Sequence, residues 1–126
     1  MKGRASLDCV LLVDDDDITN TINRRIIKKF NIALSIVVAK SGEEALKYIL
    51  ENDAPDLILL DINMPIMNGS EFLEAYLKNF KDSYKIRIIV LSSSVNLDDR
   101  FMAASYGVPF LNKPLSGERL LEVIKN

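Results

Sequence analysis

Asp14, Asp15, Asp16 and Asp17 are four consecutive acids that directly follow an apolar run, Leu7–Val13. Three later runs also stop at a polar residue: residues 56–60 at Asp61, residues 86–91 at Ser92, and residues 108–112 at Lys113. Carboxylates, a hydroxyl and an ammonium are the groups that bind hard cations and phosphate oxygens. One acid is enough to favour a helix N-terminus, and four in a row exceed that need. Two carboxylates about 4 Å apart repel by roughly 4 kcal/mol at an effective dielectric near 20. If Asp14 and Asp15 meet Asp61, with Lys113 as the single positive charge, the cluster must recruit a divalent cation or hold a proton. Asp16 or Asp17 reads as the helix cap. Alone, Asp61 would be a turn-former and Lys113 a surface charge; their chemistry depends on the run ends converging.

Parallel strands would make them converge, because the carboxyl edge of an open α/β sheet is where such folds bind ligands. Residues 7–13 show no polar alternation after Asp8, as expected of a central strand covered on both faces. Ile18, Ile22, Ile26, Ile27 and Phe30 recur at helical spacing and predict an inward face. Arg24, Arg25, Lys28 and Lys29 lie between them, toward the end where the helix dipole favours cations, and Asn31 closes the helix. Residues 34–39, rich in β-branched side chains, form a second strand. Ser41 and Glu44 have capping-box spacing and open a helix with Ala45, Leu46, Ile49 and Leu50 on its buried face. Residues 57–60 are the third strand, and residues 61–69 are a loop held by Pro65 and Gly69. The next helix turns Phe72, Leu73, Tyr76, Leu77 and Phe80 inward. After a polar connection, residues 86–91 form a fourth strand. A weaker helix over about 97–106 stops at Gly107. Residues 108–111 form a fifth strand, in which Pro109 points to a sheet edge, and residues 116–125 form the last helix. Five βα units with right-handed crossovers predict an α/β fold: one doubly wound, five-stranded parallel sheet between helices.

Composition narrows the chemistry further. The 126 residues, 48% of them hydrophobic, suit a single domain with one core. No apolar stretch approaches the roughly 20 residues of a membrane span, and no secretory signal is visible, so a cytoplasmic chain that avoids membranes is expected. The chain has no histidine, which removes Ser-His and Cys-His nucleophile pairs and every His-containing metal site. Any metal is then a hard cation on oxygen ligands. Cys9, the single cysteine, reads as a small buried hydrophobe. A net charge of −2 argues against nucleic-acid binding.

Leu-Leu-Val-Asp-Asp-Asp at residues 11–16, Asp61-x-x-Met-Pro-x-Met-Asn-Gly69, the strand end at Ser92 and Lys113-Pro114 closely resemble the receiver domain of two-component response regulators, CheY-like proteins. The resemblance spans the whole chain, and the spacing of all four landmarks agrees with it. It implies one receiver domain over residues 1–126 with strand order 2-1-3-4-5. It implies that Asp61 accepts a phosphoryl group from a phosphohistidine on a sensor histidine kinase or a histidine phosphotransfer protein. Asp15 and Asp61 would be direct carboxylate ligands of Mg²⁺, with Asp14 acting largely through water and Asn63 through its backbone carbonyl. Lys113 would pair with phosphoryl oxygens, Ser92 would supply the switch hydroxyl, and Phe110 would be the aromatic that exchanges exposed and buried positions. Lys113-Pro114 is a cis peptide in the family. The surface around the fourth helix, fifth strand and fifth helix would contact a downstream target or a second copy. Such a protein modifies itself in signalling and is not an enzyme in the ordinary sense.

Some positions depart from the commoner pattern. Ser93 follows the switch hydroxyl where a small apolar residue is more usual. Asn63 and Ser94 occupy the places that tune dephosphorylation, and Phe110 has no hydroxyl. Three other functions fit parts of the chain. A haloacid-dehalogenase-like phosphatase needs Asp-x-Asp, and Asn63 stands at the second position. A flavodoxin-like carrier must cradle a flavin phosphate in the first loop, where Asp14–Asp17 would repel it. A pseudo-receiver that binds partners without phosphorylation would share the architecture.

Overall fold

The computed structural model describes residues 7–62, 64, 68–80, 86–92 and 97–125. Asn63, Pro65, Ser93 and Ser94 lie outside the described residues, as does the connection over residues 81–85. Strands and helices alternate: β1 (Leu7–Val13), α1 (Asp17–Lys29), β2 (Ala33–Ala39), α2 (Gly42–Glu51), β3 (Leu57–Asp61), α3 (Gly69–Phe80), β4 (Arg87–Ser92), α4 (Leu97–Ser105), β5 (Phe110–Asn112) and α5 (Gly117–Lys125). All strand pairs are parallel, in the expected order β2-β1-β3-β4-β5.

Register sets the strand ends level with one another. Val13 pairs with Leu60, Asp61 with Leu91 and Ser92 with Asn112, so the four polar endings share one edge. Successive residues of a strand face opposite sides of the sheet. Leu11, Val13, Ile58, Leu60 and Val90 enter a core under α2, α3 and α4. Val10, Leu12, Leu57, Leu59, Ile89 and Leu91 enter a second core under α1 and α5. Burial on both faces explains why these strands read as unbroken apolar runs.

The helix ends follow their local chemistry. Asp16 is the N-cap of α1 and accepts from the Ile18 amide at 3.3 Å. The Thr19 hydroxyl also donates to Asp16 and holds its carboxyl below the ordinary value. Ser41 caps α2 by accepting from the Glu44 amide at 3.0 Å. Asn31 follows α1 with φ at 52°, a backbone region that asparagine tolerates better than most residues.

Four expectations are corrected. Ile18 (71% exposed) and Ile22 lie outside the core, while Asn20, Asn23 and Ile27 form the buried line of α1. The reason is a hydrogen bond: the Asn20 carboxamide donates to the Asp14 carbonyl at 2.9 Å and rotates that face inward. Leu50 is likewise exposed, leaving Ala45 and Ile49 as the buried side chains of α2 with Leu46 only partly covered. Cys9 is partly buried rather than enclosed. Pro109 precedes β5 instead of standing within it, although β5 does form the sheet edge.

Candidate functional site

The edge site is built around Asp14, which the fold holds at four atoms. Its amide donates to the Ala39 carbonyl at 3.1 Å, which levels it with the end of β2. Its carbonyl accepts from Asn20. One carboxylate oxygen accepts from the Asp16 amide at 2.9 Å, and the other from Lys113 Nζ at 2.8 Å. Asp14 is only 3% exposed, so its charge depends on these partners.

Asp61 ends β3, buried, and accepts from the same Lys113 ammonium at 3.0 Å. Its position depends on the chain that follows it. The Ile62 amide donates to the Leu91 carbonyl at 3.2 Å, and the Gly69 amide donates to the Ile62 carbonyl at 2.9 Å. This return brings Gly69 against the backbone so closely that a Cβ there would lie 2.8 Å from the Ile62 Cα. Lys113 is placed by β4: its amide donates to the Ser92 carbonyl at 2.9 Å. The Lys113-Pro114 peptide is cis, as the family pattern implied.

Asp14, Asp15 and Asp61 each offer an oxygen, all within 4.8 Å of one another. Asp14 and Asp61 are buried and Asp15 is exposed. Burial would lower the pKa of the Lys113 ammonium, but its hydrogen bonds to Asp14 and Asp61 and their charges outweigh burial and hold it above the ordinary value. Three carboxyl groups meet one ammonium, a donor set that suits a hard divalent cation bound through oxygen. Asp15 is the exposed member of the three, whereas both Asp14 oxygens already accept hydrogen bonds within the protein. That division leaves Asp15 the more accessible ligand and Asp14 the more fully engaged one.

The structure therefore brings together Asp14, Asp15, Asp61 and Lys113, and sets Ser92 on the same edge. Ser92 is fully buried, and its Oγ donates to Asp99 of α4 at 3.3 Å. Phe110 starts β5 beside Val90, away from the acid cluster, with the Arg100 guanidinium over its ring. Asn63 lies outside the described residues. Sequence reasoning missed Asn20 and Asp99. Asn20 left no usable signal, since a polar residue on an amphipathic helix is expected to face solvent; Asp99 left none either, being one of two adjacent acids in the first turn of α4. A cleft of about 230 Å³ adjoins the site and is lined by Thr19, Ile22, Asn23, Lys113, Pro114 and Leu115.

A sequence model described as "Response regulator receiver domain" matches residues 10–125. The nitrate/nitrite response regulator protein NarL of Escherichia coli is 34% identical over 116 residues, covering 91% of this chain and 52% of that protein. The chain spans about half or less of the length of the first curated relatives it matches. A two-component response regulator from Cytophaga hutchinsonii superposes with a TM-score of 0.88 at 31% identity, covering 95% of this chain and 96% of that one. The receiver domain of the histidine kinase CKI1 from Arabidopsis thaliana, complexed with Mg²⁺ and BeF₃⁻, gives 0.79 at 25% identity over 94% of this chain and 89% of that one.

Proposed function

Since the chain belongs to the response regulator receiver domain family, we propose that Asp61 is its phosphoacceptor and that Asp14, Asp15, Asp61 and Lys113 carry the transfer. The observation that supports this most is the shared Lys113 ammonium, bonded at once to Asp14 and Asp61 at the carboxyl edge of the sheet. One Asp61 oxygen attacks the phosphorus of a phosphohistidine. The P–N bond breaks, its electron pair returns to the imidazole nitrogen, and the new P–O bond makes an acyl phosphate. Lys113 stabilises the charge spread over the phosphoryl oxygens. Asp15 and Asp61, with the Asn63 carbonyl and Asp14 through water, would hold Mg²⁺, which supplies charge neutralisation between acceptor and phosphoryl group when bound. We read residues 1–126 as a single receiver unit, working in the cytoplasm. Its donor is a histidine kinase or a histidine phosphotransfer protein.

The donor reading has support in the surface beside the site. Ile18 and Ile22 are exposed on α1, Arg24 and Arg25 follow them, and the cleft between Ile22 and Pro114 also touches Lys113. A protein seated there would hold its phosphohistidine next to the acceptor. On the output side, the face formed by α4, β5 and α5 is the surface proposed to meet a target or a second copy. Incubating the protein with Mg²⁺ and a small acyl phosphate tests the core of this function by intact mass. Uptake of one phosphoryl group, lost in Asp61→Asn and on chelation, is expected. No uptake would favour an unphosphorylated binding module, and sustained rapid turnover would favour a phosphatase.

A further inference from the structure

We propose that Asp99 is a positioning residue for Ser92, engaging the switch hydroxyl from the first turn of α4 until Asp61 is phosphorylated. This rests on the reading of Asp61 as phosphoacceptor and Ser92 as switch hydroxyl. Two contacts from adjacent residues carry it. Ser92 Oγ, fully buried at the end of β4, donates to Asp99 Oδ2 at 3.3 Å. The next residue, Arg100, sets its guanidinium carbon 5.4 Å from the centroid of the Phe110 ring, within the range where a cation is drawn to a ring face. One turn of α4 therefore grips both residues whose rearrangement would report phosphorylation.

A serine hydroxyl has one proton to donate. Donation to Asp99 and donation to a phosphoryl oxygen therefore exclude each other. The separation is longer than the roughly 2.5–2.7 Å of a strong hydroxyl–carboxylate bond, so the hold is weak enough for a better acceptor to win. A phosphoryl group on Asp61 also adds negative charge that repels the Asp99 carboxylate. Phosphorylation thus both competes for the proton and pushes the resident acceptor away. The helix that carries Asp99 is lightly anchored: among its described side chains only Ala103 is buried. Release of Asp99 frees the turn, and with it the Arg100 contact on Phe110. In this state, part of the free energy of phosphoryl binding is spent breaking the Ser92–Asp99 bond.

The test is titration of Mg²⁺-loaded protein with beryllofluoride, a non-covalent phosphoryl mimic, followed by calorimetry. Wild type, Asp99→Ala, Asp99→Asn, Ser92→Ala and the Ser92→Ala/Asp99→Ala pair are compared. Asp99→Ala should bind the mimic roughly two- to tenfold more tightly, the scale of one net hydrogen bond. Asp99→Asn keeps an acceptor without the charge and should fall between wild type and Asp99→Ala; it also serves if the alanine variant fails to fold. The gain should vanish when Ser92 is alanine, because the positioning acts through that hydroxyl. Unchanged or weaker binding on removal of the Asp99 charge overturns the proposal. So does an equal gain in the Ser92→Ala background, which would mark a long-range charge effect. Failure of the wild type to bind the mimic defeats the phosphoacceptor reading itself, a result distinct from both.

Discussion

Asp15 and Lys113 show most directly what the charges at the edge do. Without a metal, Asp15 adds repulsion to a cluster whose three acids face one ammonium. Asp15→Asn is therefore expected to raise the melting temperature in chelator and to shrink the rise produced by Mg²⁺; thermal melts with and without Mg²⁺ measure both. A lowered melting temperature in chelator would show that repulsion is not what Asp15 contributes. Lys113 gives a pH prediction. Its folded pKa is raised, despite burial, by the hydrogen bonds and charges of Asp14 and Asp61. A raised ammonium pKa favours the fold below the unfolded value of about 10.4. That contribution is lost as pH rises through the folded value. Denaturant melts should show stability falling above about pH 10.4, with a shallower fall in Lys113→Met. Equal slopes would mean that the ammonium's partners matter little. The residue types of this site were legible in the sequence because each ends an apolar run. The Asn20 and Asp99 contacts were not, since a side-chain hydrogen bond to one particular carbonyl or hydroxyl leaves no periodic trace, even six or seven residues away.

At the level of elements, the return from β3 into α3 decides whether Asp61 is correctly placed. Gly69 sits against the Ile62 backbone, and an added Cβ would be 2.8 Å from the Ile62 Cα. Backbone cannot swing aside as a side-chain tip can. Gly69→Ala should cost about 1–3 kcal/mol of stability, as overpacking does, and should slow phosphoryl uptake more than it weakens the fold. Denaturation and intact-mass kinetics on the same variant separate the two effects; unaffected uptake would release the return from any role in placing Asp61. Strand positions were legible because burial on both faces leaves no polar alternation. The face of α1 was not. Ile18, Ile22 and Ile26 mark a stripe at helical spacing, but spacing alone does not say which side of that stripe meets the sheet. The Asn20–Asp14 bond settles the rotation, turning Asn20 and Asn23 inward and leaving Ile18 and Ile22 exposed. The same reasoning explains Leu50, whose neighbours Ala45 and Ile49 suffice to seat α2.

For the whole molecule, the separation of core from surface predicts a separation of stability from recognition. Ile58 is fully buried at the centre of the sheet, and Ile58→Ala should cost about 2–5 kcal/mol. Ile18→Ala and Ile22→Ala should change stability by no more than about 0.5 kcal/mol, as exposed substitutions do. If the donor docks on α1, those two variants slow transfer from a phosphorylated histidine protein while leaving uptake from a small acyl phosphate unchanged. Equal rates from both donors in the variants would place docking elsewhere. The order β2-β1-β3-β4-β5 makes these roles compatible: the acids come from the chain after β1 and the end of β3, the hydroxyl from the end of β4 and the ammonium from the chain after β5. The central claim is that the residue ending β3 receives the phosphoryl group. Borohydride reduction of the phosphorylated protein converts an aspartyl phosphate to homoserine, which peptide mass mapping can locate. Homoserine at position 61 alone is the predicted result; homoserine at another aspartate, or at none after verified phosphoryl uptake, would contradict it.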